Sequence, residues 1–170
     1  MSDYNWGSFT ARININSPAG SIYEMWSTPA GMEKWFLRQC EIKSEGSTPK
    51  TGSDLITKGD QFLWRWHGWP DDVQEKGEIL EANGTDLLRF TFGQEGAEDM
   101  TCSVKMYTEE GENICEITQE NIPVDEKGKT YYHIGCLTGW GFFLTNMKSI
   151  LEGGVDLRNK NARLTKMINS

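Results

Sequence analysis

Two histidines among 170 residues leave this sequence little with which to build a metal or acid–base centre. Its four cysteines, Cys40, Cys102, Cys115 and Cys136, stand far apart with no CxxC spacing. Neither a zinc site nor a redox pair is therefore legible. No apolar run approaches the ~18 residues of a membrane-spanning helix. The opening MSDYNWGSFTARI has no basic stretch followed by an apolar one, so no secretory signal is expected. The expectation is a cytoplasmic protein whose cysteines are buried free thiols. Basic clusters are missing too: 17 Lys and Arg are scattered among 25 Asp and Glu, for a net charge of −8. That balance disfavours a nucleic-acid backbone or an anionic membrane surface as partner. GxSxG, GxGxxG and P-loop patterns are absent. No catalytic residue, metal or cofactor is expected.

What the chain does have is a concentration of aromatic rings. The stretch FLWRWHGW, residues 62–69, sets three tryptophans and a phenylalanine into eight positions. Length and composition, 37% hydrophobic and 25% charged, suit one soluble domain with a sizeable core. SFTARININS alternates, placing Phe9, Ala11, Ile13 and Ile15 on one face of a first strand. Ser17-Pro18 and Thr28-Pro29 both read as helix starts, a cap followed by proline at the first helical position. They predict two short helices, PAGSIYEMWS and PAGMEKWF. LRQCEIKSE predicts a second strand, and the polar GSTPKTGSD a loop. In DQFLWRWH, Phe62, Trp64 and Trp66 share one strand face, while Leu63, Arg65 and His67 share the other.

Two hairpins follow. Asn83-Gly84 is a strong two-residue turn signal within VQEKGEILEANGTDLLRFTFG. Pairing Ala82 with Thr85 sets Ile79 opposite Leu88, Gly77 opposite Phe90 and Glu75 opposite Phe92. The other face then pairs Leu80 with Leu87 and Glu78 with Arg89. In the second hairpin, a turn at Glu110-Gly111 sets Met106 opposite Cys115, Val104 opposite Ile117 and Cys102 opposite Gln119. Both registers sort apolar residues to one face, as a long antiparallel meander with one buried side requires. The last element, TYYHIGCLTGWGFFLTNMKSILEGG, has Leu137, Trp140, Phe143 or Leu144, Met147, and Ile150 or Leu151 at helical spacing. It predicts an amphipathic helix of about five or six turns, ended by Gly153-Gly154. Gly135, Gly139 and Gly141 each cost about 1 kcal/mol in a helix relative to alanine. They make sense where the helix must approach something closely or leave space beside it.

A strand, two short helices, six further strands and a long C-terminal helix form an order that resembles the helix-grip fold of the START-like (SRPBCC) superfamily. More narrowly, it resembles the heat-shock-protein-90 ATPase activator homologue family. The residues that carry the likeness are INSPAGSIYEMWSTPAGMEKWF, FLWRW, GEILEANGTDLLRFTF, ITQENIP and GWGFFLTNMKSILEGG, spanning about residues 9 to 154. The resemblance implies an α+β fold: a curved seven-stranded antiparallel sheet gripping the long helix, with a cavity between them. Residues 1–154 would form one domain and 155–170 an appended arm. It implies no catalytic set and no cofactor.

The aromatic sheet face should then look toward the helix. The expected pocket comprises Phe62, Trp64, Trp66, Phe90, Phe92, Val104 and Ile117 from the sheet, with His133, Leu137, Trp140 and Leu144 from the helix; the alternative is that these rings pack closely and simply fill the interior. Glu75 and Gln119 are polar residues on the apolar faces of their hairpins. Each either orients a ligand's polar end or is satisfied by solvent or backbone. The leading expectation is non-catalytic binding of a small apolar or amphipathic molecule. A co-chaperone-like interaction module is the second, and a cyclase- or hydrolase-type enzyme the third. A fold starting by residue 9 leaves no room for the N-terminal chaperone-binding domain of the eukaryotic activator, so chaperone stimulation is not expected. The apolar residues Val155, Leu157, Leu164, Met167 and Ile168 predict that the arm folds back on the protein or pairs with a second copy in a homodimer.

Overall fold

The computed structural model describes residues 4–94 and 96–170. Strand β1 (Phe9–Asn14) leads into two short helices, α1 (Ala19–Ser27) and α2 (Pro29–Trp35). Thr28 caps α2 as its sequence predicts, accepting a hydrogen bond from the Gly31 N–H with Pro29 in the first turn. Ser17 makes no such bond; Pro18 itself occupies the position before α1. Strands β2 (Gln39–Lys43), β3 (Pro49–Lys50), β4 (Gln61–Arg65), β5 (Gln74–Ala82), β6 (Leu87–Thr91), β7 (Thr101–Glu109) and β8 (Glu112–Glu120) follow. A π-helical segment, Gly128–Gly135, then runs into helix α3 (Cys136–Leu151).

The strands form one antiparallel sheet in the order β1-β8-β7-β6-β5-β4-β2-β3. The eight strands exceed the expected seven by β3, a two-residue piece of the polar loop that pairs with Ile42 and Lys43. Its proline is tolerated because β3 lies at the sheet edge, where one N–H row needs no partner.

The β7–β8 hairpin has the predicted register, with Met106 opposite Cys115, Val104 opposite Ile117 and Cys102 opposite Gln119. Glu110 and Gly111 both turn with positive φ, at 49° and 82°. The β5–β6 register differs from the prediction. Ile79 faces Phe90 rather than Leu88, and Arg89 faces Glu81 rather than Glu78. The cause is the Asn83 side chain, whose Oδ1 accepts from the N–H groups of Thr85, Asp86 and Leu87. That widens the turn, and an irregularity between Ile79 and Glu81 absorbs the odd residue. At Ile79 the displacement is two positions, and an even slip leaves every side chain on its own face. Face sorting was therefore blind to it. Gly77 therefore does not face Phe90, and on the other side of β5 it faces Phe62 of β4. A Cβ there would run into the Phe62 ring and the Thr91 hydroxyl.

The core lies between the sheet and the helices, and it is aromatic. Trp26 meets Trp35 edge-on at 4.5 Å, Phe36 meets Trp140 at 5.0 Å, and Trp64 meets Phe90 at 5.2 Å. Buried Asn146 on α3 donates to the Trp35 carbonyl and accepts from the Leu157 N–H, both at 2.7 Å. One side chain thereby joins α2, α3 and the arm.

The arm folds back, but not by burying its apolar residues: Val155, Leu157, Leu164, Met167 and Ile168 remain exposed. Its anchor is Arg158, buried to 8% exposure, which donates to the Leu37 and Lys34 carbonyls and pairs with Asp156 at 2.7 Å. Those carbonyls lie at the end of α2, where a cation meets the negative pole of the helix. Hydrophobic content alone gave no warning that a charged residue would hold the arm.

Candidate functional site

The chain leaves β4 at Arg65, passes through Trp66 and Trp69, and re-enters the sheet at Gln74. This bend, the far end of β6, the π segment and the first turns of α3 enclose two adjoining hollows. Their volumes are about 190 and 330 Å³, and they share Trp66, Trp69, Val73, Phe92, Tyr131 and Cys136. The smaller extends to Phe36, Trp140, Phe143 and Ser170 of the arm; the larger extends to Glu75, Gln94, Met100 and Tyr132. Gly135 and Gly139, one helical turn apart, border them from the helix side. A Cβ at Gly139 would meet nothing within 4 Å, and one at Gly135 only the Thr130 carbonyl at 3.7 Å. These glycines leave space where side chains would fill it.

Four of the thirteen predicted pocket residues border this space: Trp66, Glu75, Phe92 and Trp140. Trp64, Phe90, Val104, Ile117 and Leu144 are buried core instead. Phe62 stacks on Trp64 at 3.9 Å and borders a separate groove with Lys43, Lys50 and Lys76. Leu137 is half-buried and lines neither hollow. His133 is turned away: its Nδ1 meets the Trp6 carbonyl and its Nε2 the Tyr4 hydroxyl, both at 2.9 Å. It fastens the N-terminal segment rather than facing the cavity. Trp69 and Tyr131 were legible as aromatics within FLWRWHGW and TYYH; Phe36 and Phe143 reach the space only through tertiary packing.

The two polar residues part company. Gln119 is fully buried and satisfied, accepting from the Trp140 indole N–H at 3.1 Å and lying against Cys102 and Met100. Glu75 borders the larger hollow at 5% exposure, with a long 3.5 Å contact from Gln94 to one carboxylate oxygen and the Gly93 N–H nearby. Its other oxygen, Oε1, has no hydrogen-bond partner among the described residues. Burial pushes this carboxyl up to about 7, against the opposing Gln94 amide and Gly93 N–H. Cys136 borders both hollows, but burial pushes its thiol up to about 11, which keeps it protonated and a poor nucleophile. Among the described residues no group of three or more His, Cys, Asp or Glu side chains could hold a metal ion. No helix among them is long and apolar enough to cross a membrane.

A curved antiparallel sheet closed by a C-terminal helix, with an aromatic cavity at their junction, defines a helix-grip protein of the START-like type. Residues 16–152 match the family model described as Activator of Hsp90 ATPase homolog 1-like protein, and the chain belongs to that family. Among solved structures it is similar to the Aha1 dimer from Colwellia psychrerythraea, with a TM-score of 0.67 and 17% identity over 86% of this chain and 97% of that one. It is similar to SSP2350 from Staphylococcus saprophyticus, with a TM-score of 0.67 and 16% identity over 89% and 96% of the two chains. CalU16 from Micromonospora echinospora gives a TM-score of 0.63 and 16% identity over 88% and 77%. No curated protein matches the chain.

Proposed function

We propose that the protein binds a small apolar or amphipathic molecule, without transforming it, in the aromatic cavity between sheet and helix. The observation that carries this reading is the space itself, walled by Trp66, Trp69, Phe92, Tyr131 and Trp140 and left open by Gly135 and Gly139. Concave, mostly apolar space with few polar groups is the usual form of a small-molecule site. Trp66, Trp69 and Trp140 would report occupancy directly. An apolar ligand should change their emission saturably, at concentrations where it stays monomeric. Native mass spectrometry of protein from its own source should show a retained small molecule. Protein that is always empty and insensitive to a broad panel of lipids and aromatics would refute the reading.

The family match supports a second reading, a co-chaperone-like interaction module. Clear stimulation of an Hsp90-type ATPase would place it first. A second copy of this chain is the partner best suited to the exposed apolar arm residues, and sedimentation of the intact protein decides that point.

A further inference from the structure

Of everything lining the cavity, Glu75 is the residue whose chemistry is left incomplete. Its Oε1 is buried, without a hydrogen-bond partner among the described residues, and set in an apolar wall. A buried acceptor without a donor is costly unless something supplies the donor. The described residues that line the two hollows include no lysine, arginine or histidine. Lys127 stands 5.6 Å from the Tyr132 ring centroid and lies outside the lining. An anionic head group would meet the carboxylate with nothing to compensate it, and a purely apolar ligand would leave Oε1 unsatisfied. A protonated amine supplies N–H donors and the opposite charge together. The rings of Trp66, Trp69, Phe92 and Tyr131 border the same space, and aromatic faces attract organic cations through their negative quadrupole.

Building on the binding reading above, we infer that the cavity selects ligands bearing a protonated amine, with Glu75 as the acceptor of its N–H and the aromatic wall holding its apolar body. The raised carboxyl gives the selection a pH dependence. As pH climbs from 6 to 8, Glu75 ionises and its attraction for an ammonium group grows. Gln94 and the Gly93 N–H contact it from its own side of the cavity, while Cys102 and Cys136 lie within its electrostatic reach. The phenols of Tyr131 and Tyr132 border the same hollow from the π segment.

Three probes with one aromatic body and different heads test this: phenethylammonium, 2-phenylethanol and 3-phenylpropanoate, titrated against the full chain by calorimetry. Phenethylammonium should bind at least tenfold more tightly than the alcohol at pH 8, with the carboxylate weakest, and its advantage should shrink toward pH 6. Glu75→Gln should abolish both the advantage of the ammonium over the alcohol and its pH dependence. That result assigns the effect to Glu75 rather than to the neighbouring thiols and phenols. Equal affinities, a reversed order, or an ammonium preference that survives Glu75→Gln would overturn the inference while leaving the cavity reading intact. If none of the three binds, nor any member of the broader apolar panel, both readings fall. Should Glu75→Gln fail to fold, the order of the three probes and its pH dependence in the unaltered protein still decide the matter.

Discussion

Glu75 weakens the protein that carries it. Its carboxyl titrates at about 7 in the folded state, against an ordinary value of 4.5. A group raised in this way contributes stability that is fully present below the unfolded value and lost as pH rises through the folded one. Between pH 4.5 and 7 the protein should therefore lose up to about 3 kcal/mol through this residue, at 1.36 kcal/mol per unit. Glu75→Gln should recover most of that at pH 8 and nothing at pH 4, as denaturant titrations at the two pH values will show. Gains of stability at the expense of binding are common where a site holds an unsatisfied group. The tryptophans make a second comparison. Trp64 is fully buried, and truncating it to alanine should cost about 3 to 5 kcal/mol, as for other large core aromatics. Trp66 is half-buried at the cavity wall, so Trp66→Ala should stay folded and weaken binding instead. Equal destabilisation by both changes would mean that Trp66 is core as well.

At β5 and at α3 the packing depends on where side chains are missing. Gly77 is needed because the Phe62 ring and the Thr91 hydroxyl occupy its Cβ position. Gly77→Val should therefore overpack the sheet by roughly 1 to 3 kcal/mol. An unchanged denaturation midpoint would show that Phe62 is free to move aside. Gly139 is the opposite case, with room beside it. Gly139→Leu should keep the fold, gain helix propensity and fill the smaller hollow, so that ligand response disappears while the thermal midpoint holds or rises. Retained binding in that variant would place the ligand in the larger hollow alone. The same contrast explains how much was readable beforehand. Helix order, the β7–β8 register and the aromatic face follow from period and turn chemistry, which are local. The β5–β6 register does not, because Asn83 bonds three successive N–H groups and no face-sorting rule detects an even slip. The cavity was legible only in part. Alternation placed Phe62, Trp64 and Trp66 on one face alike, but the strand ends at Arg65 and only the last of the three reaches the open space.

Both ends of the described chain are fastened to the helices. Tyr4 and Trp6 bond the His133 ring, and Arg158 bonds the carbonyls at the end of α2. Removing residues 155–170 deletes that arginine, strips buried Asn146 of the Leu157 N–H, and opens the smaller hollow beside Ser170. We expect a lower thermal midpoint and weaker ligand binding together; an unchanged midpoint would show the arm to be an appendage. Arg158→Ala alone should lower the thermal midpoint, because it strips the Leu37 and Lys34 carbonyls of their donor, while Asp156 keeps Lys160 at 2.8 Å. The Asp156 carboxyl is held well below its usual range by Arg158 and Lys160, so this contribution is present at neutral pH and lost as pH falls into the acid range. The π segment, finally, bears on which insertions and deletions the gene can accept. Tyr131 and Tyr132 border the cavity while His133, the next residue, faces the N-terminal segment. A π-wound stretch carries surplus residues relative to an α-helix, and each residue of an α-helix turns the chain by about 100°. Deleting one residue between Gly128 and Gly135 would rewind the segment. Rewinding changes the angle between the tyrosines that wall the cavity and the histidine that holds Trp6, so the spacing here bears on both at once.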